Sequence, residues 1–158
     1  MSEEERIKSY LADEFKIPAE KIRIQRSRRL FVDFPLEGFH GNFRKLCKEL
    51  KFNILLTITG LDVGENLEFI YHLARPDGIV LNLKSQIPKT NPERNTISDL
   101  FPGGMIYERE LIDMFGAKII GLPPGNRYPL PEDWPEGQFP LLKSWKADML
   151  KSKSEAPK

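Results

Sequence analysis

The chain has almost no sulfur or imidazole from which a metal centre could be built. One of its 158 residues is a cysteine, Cys47, and two are histidines, His40 and His72. A single cysteine excludes an internal disulfide. The histidines lie far from each other and at no ligand-like spacing from Cys47, whereas zinc and iron–sulfur sites draw on about four such side chains. No intrinsic metal or cluster is expected, and Cys47 is expected to pack as a small core residue. Glutamine is also scarce, limited to Gln25, Gln86 and Gln138. With 30% of residues charged, the composition leans toward that of thermophilic proteins, where charge networks gain value as temperature rises.

Net charge is missing too. Lys and Arg number 24 against 23 Asp and Glu, so no overall field gathers nucleic acid or anionic lipid. The basic cluster Lys21, Arg23, Arg26, Arg28 and Arg29 is therefore read as a solvated or protein-docking surface. No long apolar run exists: Ile54-Leu55-Leu56-Thr57-Ile58 is far short of the roughly 20 residues that cross a bilayer as a helix. The acidic start Met1-Ser2-Glu3-Glu4-Glu5 lacks the order of a signal peptide, and the mature chain is expected to begin there. No phosphate-binding loop, nucleophile elbow or zinc motif occurs.

What is present is patterning for a single folded unit with tails. Ile7, Tyr10, Leu11 and Phe15 recur at helical spacing, predicting an amphipathic helix that Pro18 stops. The period then changes to two, with Ile22 and Ile24, then Leu30, Val32 and Phe34, as in a hairpin turning near Ser27. Phe43, Leu46, Cys47 and Leu50 mark a second helix entered through Gly41-Asn42. Three strand-like runs follow, at residues 53–59, 67–73 and 79–84, joined by turn chemistry that suits antiparallel neighbours. In the middle run His72 should point outward, opposite Tyr71 and Leu73. The expected fold is α+β, a mostly antiparallel sheet with helices on one face, followed by a loop and a short element at 97–101.

Tyr107-Glu108-Arg109-Glu110-Leu111-Ile112-Asp113-Met114-Phe115-Gly116 predicts a helix of about two turns that ends at Gly116. Glu108 falls within its apolar face. A carboxylate there must find a partner or become neutral: either Glu108 and Glu110 merely favour the positive end of a short helix, or Glu108 pairs with a base, Arg75, Arg94, Arg127 or one on another chain. Arg109 and Asp113 lie one turn apart on the opposite side and are expected to pair. Taken alone as acid–base groups, Glu108, Glu110 and Asp113 would be the candidates for a stand-alone enzyme.

Beyond this helix, six of the 13 prolines fall between Pro123 and Pro140, ruling out helix or inner strand. Tyr128, Trp134, Phe139 and Trp145 recur through it, too aromatic for disorder. Residues 121–150 are expected to form an extended arm that lays aromatic anchors on another surface, the alternative being an arm that wraps its own domain. Residues 1–120 are expected to form the α+β domain, and 151–158 a flexible tail.

These residues resemble the complex I 30-kDa subunit family, a hydrophilic component of bacterial NADH:quinone oxidoreductase. Its signature is Glu-Arg-Glu, two residues, then an acidic-apolar-Phe-Gly run, matched by Glu108-Arg109-Glu110 and Asp113-Met114-Phe115-Gly116. Phe69-Ile70-Tyr71-His72-Leu73 resembles the preceding family strand, and Pro131-Glu132-Asp133-Trp134 with Pro140-Leu141-Leu142-Lys143 resembles its C-terminal arm. Leu122 stands where the family usually has His, Leu142 and Ser144 replace a basic and an acidic residue, and Arg127 is displaced by one place. Such departures suit a diverged branch, such as membrane-bound [NiFe] hydrogenases or their sulfur-reducing relatives.

The resemblance implies an accessory subunit without cofactor or catalysis of its own. It would sit beside a catalytic large subunit, iron–sulfur subunits and integral membrane ion-translocating subunits. Iron–sulfur clusters and, in hydrogenases, the [NiFe] centre would belong to those partners. The implied place is peripheral, on the cytoplasmic side of the cell membrane, and the implied interface residues are Glu108, Arg109, Glu110, Asp113, Phe115, Gly116, Arg127, Tyr128, Trp134, Phe139, Pro140 and Lys143.

Overall fold

The acidic start of the chain is the front of a helix. In a computed structural model, which describes residues 1–151, Ser2 Oγ accepts the Glu5 amide at 3.2 Å and caps helix α1 (Glu3–Phe15). Glu3, Glu4 and Glu5 occupy its first turn, the positive end of the helix dipole. Ile7 and Leu11 are buried, and the helix ends at left-handed Lys16, two residues before Pro18. The tail expected at 151–158 lies outside the described residues apart from the backbone of Lys151.

Strands β1 (Ile22–Arg26) and β2 (Arg29–Asp33) form the expected antiparallel hairpin. After helix α2 (Phe39–Glu49) come β3 (Ile54–Asp62), β4 (Asn66–Ala74) and β5 (Val80–Pro88), each antiparallel to the next. The five strands lie in the order β1-β2-β5-β4-β3. The seam between β2 and β5 is parallel, running from Arg29 opposite Val80 to Asp33 opposite Lys84. The fold is thus α+β with a mostly antiparallel sheet, as expected. The helix α2 begins at Phe39 behind Gly38, two residues before the predicted Gly41-Asn42 entry.

Alternation assigns one sheet face to the core. Ile22, Leu30, Val32, Leu81, Leu83, Tyr71, Phe69 and Ile58 are buried there. Helix α2 covers it with Phe39, Phe43, Leu46 and Cys47, and the rings of Phe39, Phe43 and Tyr71 lie 5.2–5.5 Å apart. Each such ring contributes about 2–3 kcal/mol when fully buried. Burial also pushes the Cys47 thiol up to about 12, as befits a core cysteine. His72 sits on the outer face, with Nδ1 2.6 Å from Asn82 Oδ1 and Nε2 2.9 Å from Thr59 Oγ1.

The remainder of the chain closes the edge beside β3. A short strand β6 (Glu93–Asn95) pairs in parallel with β7 (Lys118–Ile120), a second sheet that periodicity does not reveal. The element expected at 97–101 is a turn whose Leu100 and Phe101 amides both donate to Ile97 O. Helix α3 (Met105–Phe115) lies between β6 and β7 in sequence, and a short helix α4 (Asp148–Lys151) ends the described chain.

Candidate functional site

Helix α3 can approach the sheet because β3 carries Gly60. A Cβ there would lie 2.5 Å from a ring carbon of Phe115 and 2.7 Å from a methyl of Leu111. Both side chains are buried against this notch. Packing this face turns Glu108 inward, where only 1% of it is exposed.

Among the described residues no cation meets Glu108, so the pair expected with Arg75, Arg94 or Arg127 is not made. Its Oε1 accepts the Ile97 amide at 2.8 Å, and its Oε2 accepts the Thr96 hydroxyl at 2.5 Å. The turn at 96–98 folds over the start of α3 and supplies these donors, so the buried acid is satisfied without a charge partner. Burial nevertheless raises its pKa, against the two hydrogen bonds, which lower it. The three candidate bases are engaged elsewhere: Arg75 with Asp77 and Glu3, Arg94 with Ser85, and Arg127 with Asp113.

Arg109 and Asp113 do not pair either. Asp113 is buried and accepts Arg127 Nε at 3.1 Å and the Leu130 amide at 3.1 Å. Arg109 instead donates to Pro123 O at 3.0 Å and rests against Gly125. Groups of the arm bond each of the two residues instead, a long-range competition that the (i, i+4) rule does not consider. Glu110 is half-buried and takes no hydrogen bond among the described residues. Glu108, Glu110 and Asp113 therefore do not converge as an acid–base set.

Of the two alternatives for the arm, Phe139 and the arm backbone follow the self-packing one, while Tyr128, Trp134 and Trp145 are not seen on the domain. Phe139 lies over Gly116, whose φ of +74° and closeness to the ring, 2.6 Å from where a Cβ would stand, both require glycine. The Leu141 amide donates to Met114 O at 3.0 Å. Trp134 and Trp145 lie 6.1 Å apart and both donate to Gln138, through its backbone and side-chain oxygens. Arg127 Nη1 reaches Trp134 O at 2.8 Å, and its amide donates to Glu132. Pro140 is half-buried, the Lys143 side chain is exposed, and Tyr128 keeps 44% of its surface.

Asp62 is the site residue that sequence reasoning missed. It accepts Lys89 Nζ at 2.5 Å, the Gly64 amide at 3.1 Å and the Lys143 amide at 2.9 Å, joining the end of β3 to the arm. The Lys89 ammonium first, then the Lys143 amide, hold its carboxyl down at about 2. The available signal was its phase: Asp62 continues the inward series Ile58, Gly60. A carboxyl with a depressed folded pKa contributes stability above its ordinary value of 3.8, lost as pH falls toward about 2. Asp62→Asn should therefore loosen residues 139–145 at neutral pH, seen as faster amide exchange at Lys143, and remove that acid-range loss. Unchanged exchange there would refute the anchoring role.

The surface beside this junction is apolar. Ile54, Leu56, Leu61 and Val63 on and just beyond edge strand β3 are each 40–47% exposed. Ile106 and Tyr128 are similarly exposed on the rim of a hollow between α3 and the arm, which Arg109 and Asn126 also line. Among the described residues no cluster of three His, Cys, Asp or Glu side chains is placed to hold a metal, and no helix is long and apolar enough to cross a membrane.

Residues 33–149 match the family model of the respiratory-chain NADH dehydrogenase 30 Kd subunit. Membrane-bound hydrogenase subunit beta of Pyrococcus furiosus is 38% identical over 51% of this chain and 49% of its own. A subunit of the NADH-quinone oxidoreductase of Phocaeicola vulgatus is 30% identical over 80% of this chain and 25% of its own. The chain thus spans half or less of the length of these curated relatives. Among solved structures, a chain of the membrane-bound sulfane sulfur reductase, an archaeal respiratory membrane complex, superposes with a TM-score of 0.80 at 25% identity, covering 98% of this chain and 92% of that one. With the motif residues of α3 and the arm folded together and most of its length matched, the chain belongs to the respiratory-chain NADH dehydrogenase 30 Kd subunit family.

Proposed function

We propose that this protein is a non-catalytic peripheral subunit of a membrane-bound, ion-translocating oxidoreductase complex, of the complex I, membrane-bound hydrogenase or sulfane sulfur reductase kind. In this reading it docks on the catalytic large subunit and stabilises it on the cytoplasmic side of the membrane. Iron–sulfur clusters and any [NiFe] centre are carried by its neighbours. Family membership and the near full-length likeness to a chain of a respiratory membrane complex support this.

The observation that carries it is the apolar strip made by Ile54, Leu56 and Ile106. An edge strand normally protects itself with charge or proline. Here Leu56 O accepts the Tyr107 hydroxyl at 3.1 Å, so the edge and α3 are fixed as one surface. Exposed apolar side chains gathered at an unprotected sheet edge mark a protein interface.

Affinity purification of the tagged protein from solubilised membranes, with mass spectrometry and assays of nickel, iron and acid-labile sulfide, tests the proposal. The wild type should retain a large catalytic chain, iron–sulfur chains and membrane chains. Leu56→Arg and Ile106→Arg should each lose them while melting as the wild type does. Nickel would indicate the hydrogen-evolving branch, and the same partners without nickel the quinone- or sulfur-reducing one. A wild-type protein recovered alone would refute the proposal.

A further inference from the structure

Arg94 is the most anomalous cation in the chain. Only 4% of it is exposed, yet among the described residues no acid pairs with it. Nη2 donates to Ser85 Oγ at 3.0 Å, while Nε and Nη1 find no acceptor among the described residues. Its guanidinium carbon lies over the Phe39 ring, 3.9 Å from the centroid. A cation–π contact of this kind uses the charge of the guanidinium and none of its N–H donors as ordinary hydrogen bonds.

Phe39 is the first residue of α2, so the cation sits at the positive end of that helix. Gly38 provides no side-chain cap. The neighbouring His40 has a buried Nδ1 that also lacks a partner among the described residues. Arg94, His40, Asn42 and Asn95 line one hollow of about 650 Å³, with Leu36 and Ile120 at its edge. Those two apolar residues are 46% and 51% exposed. Glu93 also lines the hollow and lies 3.9 Å from the exposed Lys118, and Asp99 pairs with Arg44 at 2.8 Å and lies 3.5 Å from His40 Nε2.

We infer that this hollow is a socket for an acidic side chain of a partner chain, whose carboxylate seats on Arg94 between Leu36 and Ile120. A carboxylate matches unspent guanidinium donors at a helix N-terminus. The apolar rim argues for a side chain carried by a protein surface, because a ring of apolar contacts that excludes water is what a buried charged contact at an interface requires. The inference rests on the proposal that the chain works inside a complex. It adds a second contact, at the α2–β6 end, separate from the β3–α3 strip.

The test uses the full chain within the solubilised complex. Ile120→Asp places a like charge at the rim without touching the core, and should weaken retention of the complex about tenfold. Ile120→Lys should not. Arg94→Met should weaken it similarly, with Arg94→Lys restoring part of the loss. A photo-crosslinking amino acid at position 120 should attach to a partner segment containing Asp or Glu. If the wild type co-purifies with the complex but Ile120→Asp is retained equally and the crosslinks reach no acidic segment, the socket is refuted while the accessory-subunit reading stands. If the wild type is recovered alone, both fail together. Sub-millimolar binding of inorganic phosphate by the isolated chain, lost in Arg94→Met, would identify a free oxyanion as the occupant and overturn the inference.

Discussion

Arg127→Met should destabilise the folded chain by about 3 kcal/mol in chemical denaturation, because it leaves the buried Asp113 carboxylate without its cation. The lost contact also includes the bond from Arg127 Nη1 to Trp134 O, so the arm should detach as well and Trp134 fluorescence should move toward that of exposed tryptophan. Asp113→Asn added to Arg127→Met should recover much of the loss, since the charge left stranded is removed. A single variant within about 0.5 kcal/mol of wild type would show that water reaches Asp113 freely and that the pair is no more than a surface ion pair.

Glu108→Ala should cost about 3 kcal/mol, because the Ile97 amide would be left buried without an acceptor beside a new cavity. Glu108→Gln keeps that acceptor and should fold normally. The two differ further with pH. Burial raises the folded pKa of Glu108 above its ordinary 4.5, so across the window that starts near 4.5 and ends at the raised value the native state holds a proton the unfolded state has released. Stability of the wild type must then fall as pH rises through that window. Glu108→Gln lacks this slope, and its stability relative to wild type should grow from pH 4.5 upward before levelling off. Parallel stability curves for the two proteins would refute the buried, proton-retaining carboxyl.

Both predictions concern residues that the sequence singles out, yet neither partner could be read from it. The helical wheel exposes Glu108 as an acid on an apolar face, a local property set by the helix period. Its donors come from Thr96 and Ile97, in a turn whose path depends on β6 pairing with β7, and three-residue strands leave no periodic trace. Asp113 and Arg127 are likewise separated by an irregular segment. There the local rule, pairing Arg109 with Asp113, lost to a tertiary contact. The strands and first two helices were legible because their apolar residues repeat with period 2 or 3.6. Ser85 and Gln86 hid the continuation of β5 to Pro88, since polar residues there hydrogen-bond Arg94 and Glu68 and so break the pattern. The aromatic residues of the arm were recognised as anchors, but composition says nothing about whose surface an anchor meets.

The parallel seam between β2 and β5 also orders events in time. The β1–β2 hairpin and the β3–β4–β5 meander are each joined by tight turns and require only short loops to close. Pairing Arg29 with Val80 instead closes a loop that contains α2, β3 and β4, a costly step that non-local contacts repay only at the end. The chain is thus assembled from two early pieces whose union is late. Until that union the edges of both β2 and β5 stand open, and nascent copies are most vulnerable to pairing with one another through those two strands.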